Sequence, residues 1–383
     1  MKKSDSVLGL APNGFGAFPD KMINDMVERG LITGHKIENI GPASLDLTLS
    51  EEAYRIEAPI LPQKGENVRS LLTKLGAVPH LTDQIMERGV NYIVRLNESV
   101  ELYPDTYGYC NPKSTTGRHA IIVKVVADDC SMYDHVPSGH RGELWMFITP
   151  RYYPVIATIG ESLAQLRLFN RNTRLSQGEL ANCFDHFQLL WQREGKSRVA
   201  IKYRDWLDQG KVHHDGSIFM TPFVAPQGKV SGYVCSGSTR PLRLVDRAVD
   251  PSPFYAPLYA SADGYIKLEK DKFYILSTNE AVKVPQGLAC EVRDIDSRFG
   301  YFCGHLAGFV DPGFGYGHDG KGQGSQITLE VIPYEDLCRR SGDIITSVKF
   351  ERMIQLPDRH YDEIASSNYR KQWGPGLAKQ FAK

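Results

Sequence analysis

Two stretches decide the fold: Tyr92-Ile-Val-Arg-Leu-Asn-Glu-Ser-Val100 and Tyr274-Ile-Leu-Ser-Thr-Asn-Glu-Ala-Val282. Each opens Tyr-Ile, carries Asn-Glu near its end and closes on Val. The correspondence extends outward from them. Lys113-Ser-Thr-Thr-Gly-Arg118 sits where Arg293-Asp-Ile-Asp-Ser-Arg298 sits, and Ile159-Gly-Glu-Ser-Leu-Ala-Gln-Leu-Arg-Leu-Phe169 echoes Ser341-Gly-Asp-Ile-Ile-Thr-Ser-Val-Lys-Phe350. The offset stays near 180 residues throughout. That period is too long for a solenoid and implies two copies of one domain, expected over 1–200 and 201–383. Many short apolar runs punctuated by Gly and Pro make the repeated domain β-rich: a sandwich, jelly roll or distorted barrel.

The local pattern fills in the copies. Pro19-Asp20 can start a helix, with Met22, Ile23, Met26 and Val27 on one face and Gly30 as its stop. Leu45, Leu47 and Leu49 alternate with polar residues, which predicts a half-buried strand. Helical patterns lie near 68–75 and 81–89, and 176–192 reads as a helix. Strand signals cover 92–96, 120–126, 144–148 and 163–168. The polar stretch 193–218 reads as the joint between copies.

The 383 residues carry 45 Lys plus Arg and 45 Asp plus Glu, so the net charge removes the simplest argument for a nucleic-acid polymer as partner. No apolar run approaches the roughly 18 residues a membrane helix needs. The N-terminus opens Met-Lys-Lys-Ser-Asp, and Gly, Pro and Asn break the stretch 7–18, so no signal peptide is expected. The seven cysteines are odd in number and widely spaced, with no CxxC, which fits a reducing cytoplasm.

Four segments in this order resemble the dCTP deaminase and dUTPase superfamily: Pro42-Ala-Ser-Leu-Asp-Leu-Thr-Leu49; Pro112-Lys-Ser-Thr-Thr-Gly-Arg118; Ala307-Gly-Phe-Val-Asp-Pro-Gly-Phe314 followed by Ile327-Thr-Leu-Glu330; and the tail from Tyr361 through Tyr369-Arg-Lys-Gln372. The match is nearest to dCTP deaminase, in tandem-duplicated form. The resemblance implies a mainly β fold with a few helices, as two tandem copies of a dUTPase-like distorted β-barrel or jelly roll of the β-clip type. It also implies a homo-oligomer, with sites shared between neighbouring domains.

Glu330 is the candidate catalytic residue. It lies in Gln326-Ile-Thr-Leu-Glu-Val-Ile332, where Ile327, Leu329 and Val331 take one face and Thr328, Glu330 and Ile332 the other. Facing an enclosed pocket, such a carboxylate would hold its proton more tightly and suit a general base. On periodicity alone, a solvated strand face is the commoner reading. The resemblance reverses that, because the family's Glu at this place activates the attacking water. Lys113, Ser114, Thr115 and Arg118 suit a polyphosphate: hydroxyls and N–H groups donate to phosphate oxygens, and Arg grips two at once. From the residues alone, a polar turn between strands is an equal alternative. The resemblance further assigns Arg298, Ala307, Asp311, Tyr361 and Gln372 to substrate binding. The family's tail Lys falls at Asn368, leaving Lys371 as the substitute.

No protein-bound metal is expected. Zinc deaminases use H-x-E with P-C-x-x-C, and neither occurs here. Magnesium is expected on the nucleotide triphosphate. Gly315-Tyr-Gly-His-Asp-Gly-Lys-Gly322 nearly spells a P-loop, but Gly322 stands where Ser or Thr must bind magnesium and a strand follows. The resemblance implies a hairpin here instead, with 315–325 as a Gly-rich insertion relative to the family that would widen the pocket or form a mobile flap. His213-His214-Asp215 reads as a solvated turn, and Cys303 near His305 as barrel packing.

The copies diverge. Phe147 stands where Glu330 is in the second copy, with Glu143 four positions away, and Asp294 and Asp296 would repel a triphosphate in the second phosphate-like segment. Two arrangements stay open: a composite site drawing Lys113, Ser114, Thr115 and Arg118 from the first copy and Glu330 from the second, or a site of second copies using Arg293 and Arg298. The expected activity is hydrolysis of dCTP to dUTP and ammonia. The alternatives are a dUTP diphosphatase, a bifunctional enzyme, or a non-catalytic nucleotide-binding regulator, with regulation by dTTP left open.

Overall fold

The computed structural model describes residues 14–74, 76–304, 306, 308–364, 369 and 372–382. They form two compact units. The N-terminal unit is built from the described residues of 18–172, 236–254 and 378–383; the C-terminal unit from those of 1–17, 173–235 and 255–377. Each unit therefore takes three stretches of chain.

Among the described residues of the N-terminal unit, a nine-stranded sheet runs Ile121–Ala127, Arg141–Pro150, Asn91–Glu101, Leu45–Ile56, Ser162–Phe169, Tyr107–Pro112, His135–Val136, with Ile32–Thr33 added to Asn91–Glu101 and Val78–Leu81 to Leu45–Ile56. The pairings within it are antiparallel. The late segments enter this unit through backbone pairing. Leu242–Arg243 lies parallel to Val155–Ile156, and Phe381 bridges Val249.

In the C-terminal unit, Ser325–Pro333 pairs with Tyr274–Val282 on one side and with Phe302–Cys303 on the other. A second sheet runs Ile218–Met220, Thr346–Arg352, Leu288–Arg293, Phe309–Val310. Between them lies a core of Leu276, Cys290, Ile327, Leu329, Val331, Val348 and Phe350. Burying each of the Leu, Ile, Val and Phe side chains among them stabilises the fold by about 1.5–3 kcal/mol.

The duplication is visible in hydrogen bonds. The Tyr92 hydroxyl accepts from the Glu87 N–H at 3.0 Å, and the Tyr274 hydroxyl from the Glu269 N–H at 2.7 Å. Glu98 accepts from both the N–H and the hydroxyl of Thr48, each at 2.7 Å; Glu280 accepts from the same two groups of Thr221, at 2.8 and 2.5 Å. All four residues of these pairs are buried. The Glu of the repeated Asn-Glu dipeptide thus clamps a Thr in each copy.

The expected helix at Asp20–Glu28 is present, and Gly30 leaves it at φ 72°. The helix expected over 81–89 is absent. That stretch holds parts of two short strands, Val78–Leu81 and Ile85–Met86, because pairing with Leu45–Ile56 and Val155–Ile156 outweighs local preference. The helix expected over 176–192 is Gln177–Phe187, opened by a capping box between Ser176 and Glu179 and closed by Gln188 in the left-handed region. Beyond it, Leu190–Glu194 is a strand. The stretch read as a joint is structured: it includes a hairpin with Ser197–Ala200 and the helix Tyr203–Asp208, whose Trp206 is buried.

Candidate active site

All nine residues of Ser325–Pro333 are buried, so the expected half-exposed alternation is a fully covered strand instead. Ile327, Leu329 and Val331 fill the core. Gln326, Thr328, Glu330 and Ile332 take the opposite face. Glu330 is 1% exposed, and the Leu306 N–H donates to its Oε2 at 3.3 Å. The chain just before Leu306 is tied down as well, because the Gly304 N–H donates to Asp294 Oδ1 at 2.9 Å. Asp294, expected to repel phosphate, therefore has a structural role, fixing the loop that supplies an amide to Glu330.

The tail reaches the same face. Gln372 donates through Nε2 to the Thr328 hydroxyl and, at 3.0 Å, to the Gly374 carbonyl, while its backbone carbonyl accepts from the Gln326 N–H at 3.3 Å. Thr328 and Glu330 stand two positions apart on one strand face, about 7 Å along it. The structure thus brings Gln372 and Glu330 to one face. Tyr361 lies with the Asp311 turn. Its N–H donates to the Pro312 carbonyl at 2.9 Å, and its ring centroid is 5.5 Å from that of Phe314. Gly313, at φ 89°, carries the turn where a Cβ would strike His360. Ala307, Asn368 and Lys371 lie outside the described residues.

The Gly-rich insertion is held rather than loose. Lys283, 6% exposed, donates to the Gly320 carbonyl at 2.7 Å and lies 5.4 Å from the Tyr316 ring centre. The Gly317 N–H donates to Asp362 at 2.7 Å, which ties the insertion to the segment carrying Tyr361. Arg298, by contrast, is exposed, and its guanidinium grips Asp296 through two bonds of 2.9 and 3.2 Å.

Lys113, Ser114, Thr115 and Arg118 lie in the N-terminal unit. Ser114–Arg118 is a short helix rather than an open turn. The Thr116 hydroxyl donates to the Leu163 carbonyl at 2.8 Å, Arg118 is buried, and Lys113 pairs with Asp46.

The chain matches the N-terminal domain of 2'-deoxycytidine 5'-triphosphate deaminase over residues 14–172 and the C-terminal domain of the same family over 200–381. It belongs to the dCTP deaminase family. Its fold is similar to the crystal structure of 2'-deoxycytidine 5'-triphosphate deaminase from Agrobacterium tumefaciens, at 29% identity and a TM-score of 0.79, over 90% of this chain and 99% of that one. No curated protein matches the chain. The expected mainly β architecture of tandem dUTPase-like barrels is therefore the fold of this family member.

Within that dCTP deaminase frame, the two copies can be set side by side by register. Ile275 is the cross-strand partner of Glu330, and Ile93, its repeat equivalent, is the partner of Phe147. Phe147 packs with Trp145, Ile93, Val68 and Leu72, so apolar side chains fill the matching place in the first copy. The neighbouring Glu143 is an Arg69 partner at 2.9 Å. Sequence reasoning missed the Leu306 amide and the Thr328 hydroxyl. Thr328 was legible, since period two puts it on the face of Glu330; a backbone amide leaves no such trace.

Proposed function

We propose that this member of the dCTP deaminase family hydrolyses dCTP to dUTP and ammonia with Glu330 as general base, the product feeding dUMP and dTTP synthesis. Water attacks C4 of the cytosine as Glu330 takes its proton. The carboxyl passes that proton to N3, giving a tetrahedral centre at C4. The C4 hydroxyl then gives up its proton through Glu330 to the amino group, the C4–N bond breaks, ammonia leaves and C4 becomes a carbonyl. This is hydrolysis of a cyclic amidine C–N bond. The observation that carries the reading is a carboxylate 1% exposed, on a strand face shared with the tail's Gln372, in a chain matched to this family along both halves. Excluding bulk water strengthens a base's action on one bound water molecule.

The chemistry proposed needs no metal held by the protein, and magnesium enters on the triphosphate. Candidate binding groups are Lys113, Ser114, Thr115, Arg118, Arg298, Ala307, Asp311, Tyr361 and Gln372. We also propose a cytoplasmic homo-oligomer. The deciding experiment feeds the purified protein dCTP and dUTP and follows products. Ammonia from dCTP supports the deaminase, pyrophosphate from either identifies a diphosphatase, and binding without product identifies a regulator. Arg118→Ala and Arg298→Ala then show which cation grips the phosphates, by which variant loses dCTP affinity.

A further inference from the structure

We propose that Arg198 is a positioning residue for the deamination: stacked on Trp373, it docks the tail so that Gln372 already lies on the strand face of Glu330 when the nucleotide arrives. The inference rests on the reading of Gln372 as a substrate-binding group, and the residues it uses all belong to the C-terminal unit.

Register places Arg198 on that face. Ala200 pairs with Trp191, Trp191 with Ala281, and Ala281 with Gln326, one row across four antiparallel strands. Paired residues share a face, and so do residues two apart along a strand. Arg198 stands two positions from Ala200, as Thr328 stands two from Gln326. Because the strands alternate in direction, Arg198 and Thr328 lie on the same side of the row. Three consecutive tail residues meet this face. Gln372 donates to the Thr328 hydroxyl, the Trp373 ring centre lies 3.8 Å from the guanidinium carbon of Arg198, and the Gly374 N–H donates to Gln326 Oε1. Gln326 Nε2 in turn donates to the Asn279 carbonyl at 2.9 Å, which holds that acceptor in place.

Each member of the stack depends on the other. The indole N–H of Trp373 is buried with no hydrogen-bond partner among the described residues, so no polar bond of the side chain fixes the ring. Arg198 is half-buried, and among the described residues no carboxylate pairs with it. Its cross-strand partner is a like charge, Arg193, whose Nε donates to the Gly195 carbonyl at 2.9 Å. Like charges opposite each other weaken a strand pair, so a cation at 198 is stabilised by the indole and not by its own hairpin. A guanidinium over Trp is the strongest pairing of this kind, more so where water is partly excluded. Trp373 directly follows Gln372, so the stack fixes the tail one residue from the side chain that reaches Thr328. A tail docked in advance spares the nucleotide the cost of ordering it, and apparent affinity falls as the docked fraction falls. Turnover of the bound complex, where the tail is already in place, does not depend on that fraction.

The test compares full-length wild type, Arg198→Ala and Arg198→Lys by hydrogen exchange and by kinetics, with circular dichroism showing all three folded. The Gln326 N–H donates to the Gln372 carbonyl at 3.3 Å, and the Gly374 N–H to Gln326. Without nucleotide, both amides should exchange about fivefold or more faster in Arg198→Ala. The KM for dCTP should rise by a similar factor with kcat kept, and Arg198→Lys, which retains a charge over the ring, should recover part of both. Trp373→Ala should have at least as large an effect, and adding Arg198→Ala to it should make nothing worse, because the one contact is already lost. Equal exchange in Arg198→Ala and the wild type overturns the dock. Faster exchange with an unchanged KM overturns its part in the reaction. If the wild type releases no ammonia from dCTP, the chemistry assigned to Glu330 fails, and the exchange measurement, made without substrate, still decides the dock.

Discussion

Glu330 is paired across the sheet with Ile275. The same register in the N-terminal unit pairs Phe147 with Ile93, so one topological position holds a buried carboxylate in one copy and a phenyl ring in the other. The two copies share this register while the side chain at that position differs in kind. The shared frame carries a repeated hydrogen-bonded pair in each copy, Glu98 on Thr48 and Glu280 on Thr221.

Glu330→Gln removes the base while keeping shape and the acceptor for the Leu306 N–H. Ammonia release from dCTP should fall by about 10²–10⁴-fold, the usual range for general base removal. Affinity for dCTP measured without turnover should stay within a few-fold. A variant that still turns over at the wild-type rate would remove Glu330 from the mechanism.

Phe147→Ala should damage stability and spare chemistry. The ring packs in a cluster with Trp145, Val68 and Leu72, and losing it costs about 3–5 kcal/mol through lost burial and the cavity left behind. Denaturant unfolding reads the loss. The kcat for dCTP, measured well below the variant's unfolding temperature, should be unchanged; a collapse of kcat in folded protein would show that the first copy takes part in the reaction.

Glu98 and Glu280 should make stability fall as pH rises. Burial raises the proton affinity of both carboxyls in the folded protein. A carboxyl with a raised folded value binds its proton more tightly folded than unfolded. Its contribution is complete below the ordinary carboxylate value and is lost as pH climbs through the raised one. The double variant Glu98→Gln, Glu280→Gln lacks both titrations, and its amides still meet the two threonines. Melting curves from about pH 5 to 7.5 should show the wild type losing Tm relative to the variant. Parallel curves would show that these carboxyls do not titrate in the range.

Lys283→Met should free the Gly-rich insertion. The ammonium's bond to the Gly320 carbonyl disappears, and the carbonyl loses a charged donor worth about 1.5–3 kcal/mol. Limited proteolysis should then cut within 317–322 faster than in the wild type, with the rest of the C-terminal unit resisting. Unchanged cleavage would place the hold on the loop in Asp362 and the backbone bonds alone.

The chain by itself determined the duplication and the β-rich class, because each depends on residue type and period; Glu330 stood out only through the resemblance of four ordered segments to a known family. Strand alternation put Thr328 and Glu330 on one face, and the missing carboxylate at Phe147 was readable by aligning the copies. Helix and strand were confused at 81–89 and past Phe187, where pairing with distant strands overrides local preference. What only tertiary structure decided was the company each group keeps. The Leu306 amide beside Glu330, the late residues 378–382 built into the N-terminal unit, and Lys283 under the glycines all join positions far apart in sequence. Those contacts depend on three-dimensional register and burial, and no local pattern of side chains encodes them.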